Sequence, residues 1–365
     1  MKKLYGLSVL SALSMAAPAM AAMEVDLGEN GKLTFGGYIK VDARYVDGDV
    51  AYQDYWRGNN PGAVDTSHFA INVRETRINT KYVKGDVTGF IEMDFYGGGG
   101  NEVATNSSNP RLRHAFLSYK NLMVGQYWST FMPLAALPES LDFAGPIAGE
   151  VFVRQQQIRY TMGNLRLAIE NPETFGDGDV GNPSEGGGVT GAAADPDESN
   201  PDLIGSYTFT GDWGEVTTSG LLRWIDQGGV DDVGAAVSVS GKINFDQDDL
   251  RFQFNYGDAG RYIGAAYPDV VDTDADTEPD EVEEVTALTV AYRHIWSKDY
   301  RSTVYFGGSE TDVAEQSRYH YAANLIRQLT PDLWAGVELG NFTVDDDGSD
   351  KIDAFYLQFS MKFTL

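Results

Sequence analysis

Along most of this chain the apolar residues fall on every second position. The clearest case closes it. Between residues 355 and 365, Phe355, Leu357, Phe359, Met361, Phe363 and Leu365 alternate with Tyr356, Gln358, Ser360, Lys362 and Thr364. A strand points successive side chains to opposite faces, so this segment has one wholly apolar face and one mostly polar face. The pattern returns at 34–45, where Phe35, Ile39 and Val41 oppose Lys40, Asp42 and Arg44. It returns again at 165–170, 250–256 and 288–293. Alternation alone predicts strands without saying what the apolar face meets, because a half-buried soluble strand looks the same.

The connections supply that information. Sixteen strands are predicted, at 34–45, 71–84, 86–96, 111–119, 122–128, 151–161, 164–170, 202–210, 215–226, 233–244, 248–257, 286–297, 300–307, 318–328, 332–344 and 351–365. Joins after the even strands through the fourteenth are tight, around Gly85, Lys120-Asn121, Met162-Gly163, 211–214, 245–248, 297–299 and 330–332. Joins after the odd strands are mostly long, above all 46–70, 97–110, 129–150, 171–201 and 258–285. Short turns at one end, long loops at the other and an even strand count are the signature of an outer-membrane barrel. Closure also satisfies every backbone polar group in lipid, which an open sheet cannot do. The expected fold is therefore all-β, a 16-stranded antiparallel transmembrane β-barrel. The loop 129–150 differs from the others. It carries Phe131, Leu134, Leu137, Leu141, Phe143 and Ile147, three prolines and few charges. Such a loop avoids water, so it is expected to fold inward as a constriction; the rival is that it latches over a neighbouring subunit.

Composition adds an address. The chain opens with Lys2 and Lys3, an apolar stretch from Leu4 to Ala17, and the small-x-small site Ala19-Met20-Ala21. This reads as a secretory leader cleaved after Ala21, leaving a barrel domain at 22–365. No later stretch approaches the ~20 apolar residues of a membrane helix. The net charge is −27, and −29 without the leader's two lysines. Such acidity argues against nucleic acid as a partner. The acids gather in the long loops: no Lys or Arg occurs between Arg166 and Arg223, and nine acids lie between Asp269 and Glu284. They read as a solvated extracellular surface, with divalent-cation bridging to lipopolysaccharide as the alternative. Asp272, Asp274 and Asp276 resemble half of a calcium loop but lack its glycine turn and terminal Glu, so no metal is assigned. No cofactor is implied.

If the apolar sets face lipid, the alternate sets face the lumen. That parity places Arg77, Arg113, Arg159, Arg166, Arg223, Arg251, Arg293, Arg301 and Arg318 inside, with Lys40, Arg44 and Lys81. Asp42, Glu75, Glu92, Asp94, Glu170 and Glu338 face inward too. Two readings follow. The arginines are hydrated and paired with acids, or they line an anion-attracting pore. On the second reading Glu139 and Asp142 of the inward loop project towards Arg77, Arg113 and Arg159 and set up a transverse field. Parity near Arg74, Arg154 and His114 is open, because one bulge reverses it. Two further functions stand beside these: a general or cation-preferring porin governed by its acidic mouth, and a barrel enzyme or adhesin. No G-x-S-x-G, H-E-x-x-H or cysteine site occurs, and His68, His114, His294 and His320 read as structural.

The segments "GGYIKVDARY", "RETRINTKY", "GFIEMDFYG", "RLRHAFLSYKNLMVGQYWSTF" and "RQQQIRYT" resemble the DcaP-like family of trimeric Gram-negative outer-membrane porins. The likeness covers most of residues 34–161. It implies a trimeric barrel favouring anions, dicarboxylates and phthalate-like aromatic acids among them. It also implies lumen roles for Arg77, Arg113 and Arg159, and for Arg154. Some members carry a longer N-terminal coiled-coil segment, for which the dozen residues before the first strand leave no room. The final residue is Leu365 where a terminal Phe is usual.

Overall fold

The computed structural model describes residues 23–58, 62–98, 105–175, 199–227, 230–273 and 280–365. The expected leader 1–21, most of the loop 171–201, and Asp274 and Asp276 lie outside the described residues.

Sixteen strands close one antiparallel barrel. They are β1 Lys32–Val50, β2 Ala63–Asn72 continued by Arg77–Lys84, β3 Val87–Asp94, β4 Arg111–Tyr119, β5 Leu122–Trp128, β6 Arg154–Met162, β7 Leu165–Glu170 and β8 Asp202–Gly211. The second half comprises β9 Gly214–Gln227, β10 Val230–Phe245, β11 Asp248–Gly257, β12 Val285–Ile295, β13 Tyr300–Thr311, β14 Gln316–Gln328, β15 Leu333–Asp346 and β16 Ile352–Thr364. A short segment, Met23–Asp26, pairs with the start of β1. β16 runs against β1 from Tyr38–Thr364 to Gly48–Ala354, and this pairing closes the ring.

The alternation seen in the sequence is the barrel's inside and outside. In β16, Phe355, Leu357, Phe359, Met361 and Phe363 are exposed on the outer face, whereas Tyr356, Gln358 and Ser360 are buried within. Two-residue turns join β2–β3, β4–β5, β6–β7 and β10–β11. Each begins with a left-handed residue, Gly85 (φ 57°), Lys120 (52°), Gly163 (61°) or Asp246 (59°). That backbone matches the right-handed strand twist, which keeps this end short. Tyr119, Trp213, Phe245, Trp296 and Tyr300 are exposed at this short-turn end of the barrel. They form the aromatic girdle of a membrane interface.

Two irregularities reset the parity. β2 is interrupted at 73–76, where four of its residues stand against three of β1. Ile71 and Ile78, seven residues apart, consequently both face outwards, and Glu75 and Arg77 lie on the lumen side. In β4 a bulge opposite Glu92 and Met93 leaves consecutive Arg113 and His114 both buried inside. The Gln126 amide donates to the carbonyls of Leu112 (3.2 Å) and Arg113 (2.9 Å), satisfying groups the ladder leaves free.

The lumen is narrowed by loops. The loop 129–150 lies inside β10–β14, with short helical turns at Leu134–Ala136 and Ile147–Gly149. Part of the acidic loop that follows β11 departs from the expectation of a solvated mouth. Its Tyr262, Ile263, Tyr267 and Val270 are buried, and Ile263 pairs with Val151 beside the first loop. Asp269 and Glu283 are buried with it. Buried carboxylates need partners. Asp269 takes two N–H groups of Arg223 (2.5 and 2.9 Å), and Glu283 takes the backbone N–H groups of Asp312, Val313 and Ala314 (2.8–2.9 Å). These partners are distant in sequence, so composition alone could not reveal them.

Candidate functional site: the lumen constriction

One side of the constriction is a set of ties. Glu338, buried on β15, accepts the backbone N–H of Leu141 (2.8 Å) and of Asp142 (2.9 Å). It also accepts the Tyr305 and Tyr356 hydroxyls at 3.0 Å and the Asn324 amide at 3.1 Å. Lys40 and Gln358 donate to the Leu141 carbonyl at 2.7 and 2.8 Å. Asp142 pairs with Arg44 at 2.8 Å. Glu139 receives a bidentate pair from Arg301 at 2.8 and 2.7 Å, with Arg293 at 4.0 Å. The two loop acids therefore do not project towards Arg77, Arg113 and Arg159. The loop's two short helical turns lie against β10–β14, so Glu139 finds its cation on β13, while Asp142 reaches Arg44 on β1. Burial opposes the charge on Glu139, but the hydrogen bond and charge of Arg301, with Arg293 and Arg251 behind, hold its carboxyl below the usual range. Glu150, at the loop's far end, forms no ion pair among the described residues. Burial, with the Asp142 charge added, pushes its carboxyl well up.

The adjoining wall carries cations on aromatic rings. Phe143 extends from the loop among the side chains of β2–β4. Arg77 lies 5.3 Å from its ring centroid, Arg113 5.4 Å and Arg111 5.9 Å. Arg77 also lies 5.2 Å from Tyr38, and Lys362 lies 3.9 Å from the same ring. Trp128 receives Arg113 at 5.4 Å and Arg154 at 5.3 Å. Such stacking leaves guanidinium edges available for hydrogen bonding. Arg113 spends its edges on Glu92 (2.9 Å) and Asp94 (3.1 Å), and Arg111 binds Asp94 in bidentate fashion. Arg77, Arg154 and Lys362 have no ion pair among the described residues. Arg77 Nε and Arg154 Nη1 are buried without an acceptor.

The other expected wall residues divide the same way. Arg223 pairs with Asp269, Arg251 and Arg293 with Asp249, and Arg318 with Asp346. Lys40 pairs with Glu75 and, at 3.3 Å, with Asp42. Lys81, Arg159 and Arg166 form no ion pair among the described residues. Arg159 is not in the Phe143 cluster. It stands opposite Met123, five residues along β6 from Arg154, which stands opposite Trp128; that is about 16 Å of strand. Sequence reasoning overlooked Arg111 and Lys362. Both signals were present: Arg111 shares the parity of Arg113, and Lys362 lies on the polar face of β16.

A closed sixteen-strand barrel with an aromatic girdle, short turns at one end and a loop folded into its lumen is a porin-type outer-membrane barrel. The chain belongs to the DcaP outer membrane protein family, whose family model matches residues 16–206. Among solved structures it is similar to the outer membrane channel DcaP of Acinetobacter baumannii, at 21% identity, covering 95% of this chain and 100% of that one, with a TM-score of 0.75. It is also similar to an anion-selective porin from Comamonas acidovorans, at 10% identity over 91% of this chain and 99% of that one, TM-score 0.58. The trimer form of OmpT from Vibrio cholerae matches at 11% identity over 92% and 99%, TM-score 0.57. No curated protein sequence matches.

Proposed function

We propose that the chain is a passive channel for small anionic solutes, dicarboxylates and aromatic acids among them, working as a homotrimer in a Gram-negative outer membrane after export by a cleaved leader. One observation carries the reading. Cations facing the packed loops, such as Arg44, Arg223 and Arg301, are held in ion pairs, whereas Arg77, Arg154 and Lys362, around Phe143, Trp128 and Tyr38, form none among the described residues. A free guanidinium edge binds a carboxylate in charge-assisted, often bidentate fashion. The neighbouring rings offer apolar surface to the rest of the solute. The solute gradient is the driving force.

The test is uptake into proteoliposomes of a four-carbon dicarboxylate against a four-carbon diamine. One unit charge about 5 Å from the solute's path, in water, is worth about 0.8 kcal/mol, or ~4-fold in partitioning. The wild type should pass the dicarboxylate faster, and Arg77→Ala with Arg154→Ala should erase most of the difference. Faster passage of the diamine through the wild type would overturn the reading and move attention to the acidic mouth.

A further inference from the structure

On the short-turn side of the constriction, two arginines share a patch of lumen wall and neither forms an ion pair among the described residues. Arg159 on β6 pairs in the ladder with Ala168, and Arg166 on β7 pairs with Thr161. They are thus diagonal neighbours, about 7–8 Å apart at their Cα atoms and pointing to the same face. The Arg159 guanidinium lies 5.3 Å from the Tyr127 ring centroid, and its Nη2 contacts Met123 Sδ at 3.2 Å. Arg166 Nη2 donates to Thr208 Oγ1 at 2.9 Å, and that oxygen is also 2.9 Å from Thr217 Oγ1. Two acids share this face of the wall. Glu170 is engaged by the Thr130 backbone N–H at 2.7 Å. Glu215 forms no ion pair with either arginine. At two other places in the lumen a carboxylate bridges adjacent arginines: Asp94 between Arg111 and Arg113, and Asp249 between Arg251 and Arg293. Between Arg159 and Arg166 the bridge is missing, although two adjacent like charges call for one.

We propose that Arg159 and Arg166 form a second anion station, separate from the constriction and on its periplasmic side, which binds an anion carrying two or more carboxylate or phosphate groups in place of the missing acid. Each guanidinium has N–H donors to spare, and the spacing suits an anion whose charged groups are a few bonds apart. The inference rests on the pore reading for its setting. Its consequence is sidedness: a polyvalent anion arriving from the periplasm meets the station before the constriction.

Citrate is a suitable probe. Channels inserted in one orientation in a planar bilayer carry a KCl current while citrate is added to either chamber. The station predicts that citrate reduces the wild-type current at roughly tenfold lower concentration from the short-turn side, the effect of one charge-assisted hydrogen bond. Arg159→Ala with Arg166→Ala should abolish that difference and keep the anion preference in KCl. Arg159→Lys with Arg166→Lys, which preserves charge and so guards against misfolding, should retain part of it. Equal block from both sides in the wild type, or a difference that survives the alanine pair, would overturn the proposal. Joint loss of sidedness and KCl preference in the alanine pair would overturn it too, because the arginines would then belong to the constriction. A cation-preferring wild type whose citrate sidedness still depends on the pair would sink the pore reading and leave the station standing.

Discussion

Arg77 and Arg113 lie beside the same Phe143 ring, 5.3 and 5.4 Å from its centroid, yet they serve different ends. Arg113 is fully buried and joined to Glu92 and Asp94, so it belongs to the architecture. Arg113→Ala should cost roughly 3 kcal/mol, the low end for a broken buried pair, because Arg111 still holds Asp94. Arg77→Ala breaks no ion pair. Its thermal unfolding in detergent should stay close to wild type while its ion preference changes. Comparable destabilisation by the two substitutions would contradict this division. Glu150 gives a second residue-scale prediction. Burial, chiefly, raises its folded pKa above the unfolded value of about 4.3, so the stability it confers is complete below that pH and is lost as pH rises through the raised value. Glu150→Gln stays neutral throughout. Melting temperatures followed from acid to mildly alkaline pH should therefore fall less in the variant; parallel curves would refute the assignment.

At the scale of the element, the loop 129–150 is held by a few groups that tolerate little change. Glu338 offers one carboxylate to two backbone N–H groups, two hydroxyls and an amide. Glu338→Gln puts an NH2 group among donors and removes the charge, at about 1.5–3 kcal/mol for each charged hydrogen bond lost. The loop should loosen, and single-channel conductance and the exclusion limit for neutral sugars should both rise. Gly149 tests the same seat differently, because a Cβ there would collide with the Leu288 carbonyl and the Gly308 nitrogen. Gly149→Val should displace the loop and widen the bore; unchanged conductance in both variants would mean that this loop does not set it. The strands and the special character of this loop were legible in the sequence, because alternation, turn chemistry and local apolarity are short-range signals. The parity at 73–76 and at 113–114 was not, since one extra residue reverses a face without altering composition. Nor was the burial of Tyr262, Ile263, Tyr267 and Val270 with Asp269 and Glu283, two acids that find their partners on β9 and on the turn at 312–314.

At the scale of the whole molecule, a chain of net charge −27 keeps unneutralised cations in its lumen. The alternation legible in the sequence placed the arginines inside. Which of them carry an acid partner depends on contacts such as Arg44 with Asp142, 98 residues apart, and Arg301 with Glu139, 162 apart. Those contacts exist only once the loops fold in. The surplus of acid belongs largely to the long loops, where salt screens it within about 8–10 Å at physiological strength. An ion in the constriction should accordingly respond to Arg77, Arg154 and Lys362 more than to the surface. The direct test is the reversal potential of purified wild-type protein in a planar bilayer under a KCl gradient, at low and at high salt. The account predicts a potential of the sign set by chloride, and a shift towards zero when Arg77 and Arg154 are replaced by alanine. A potential of the sign set by potassium would contradict it.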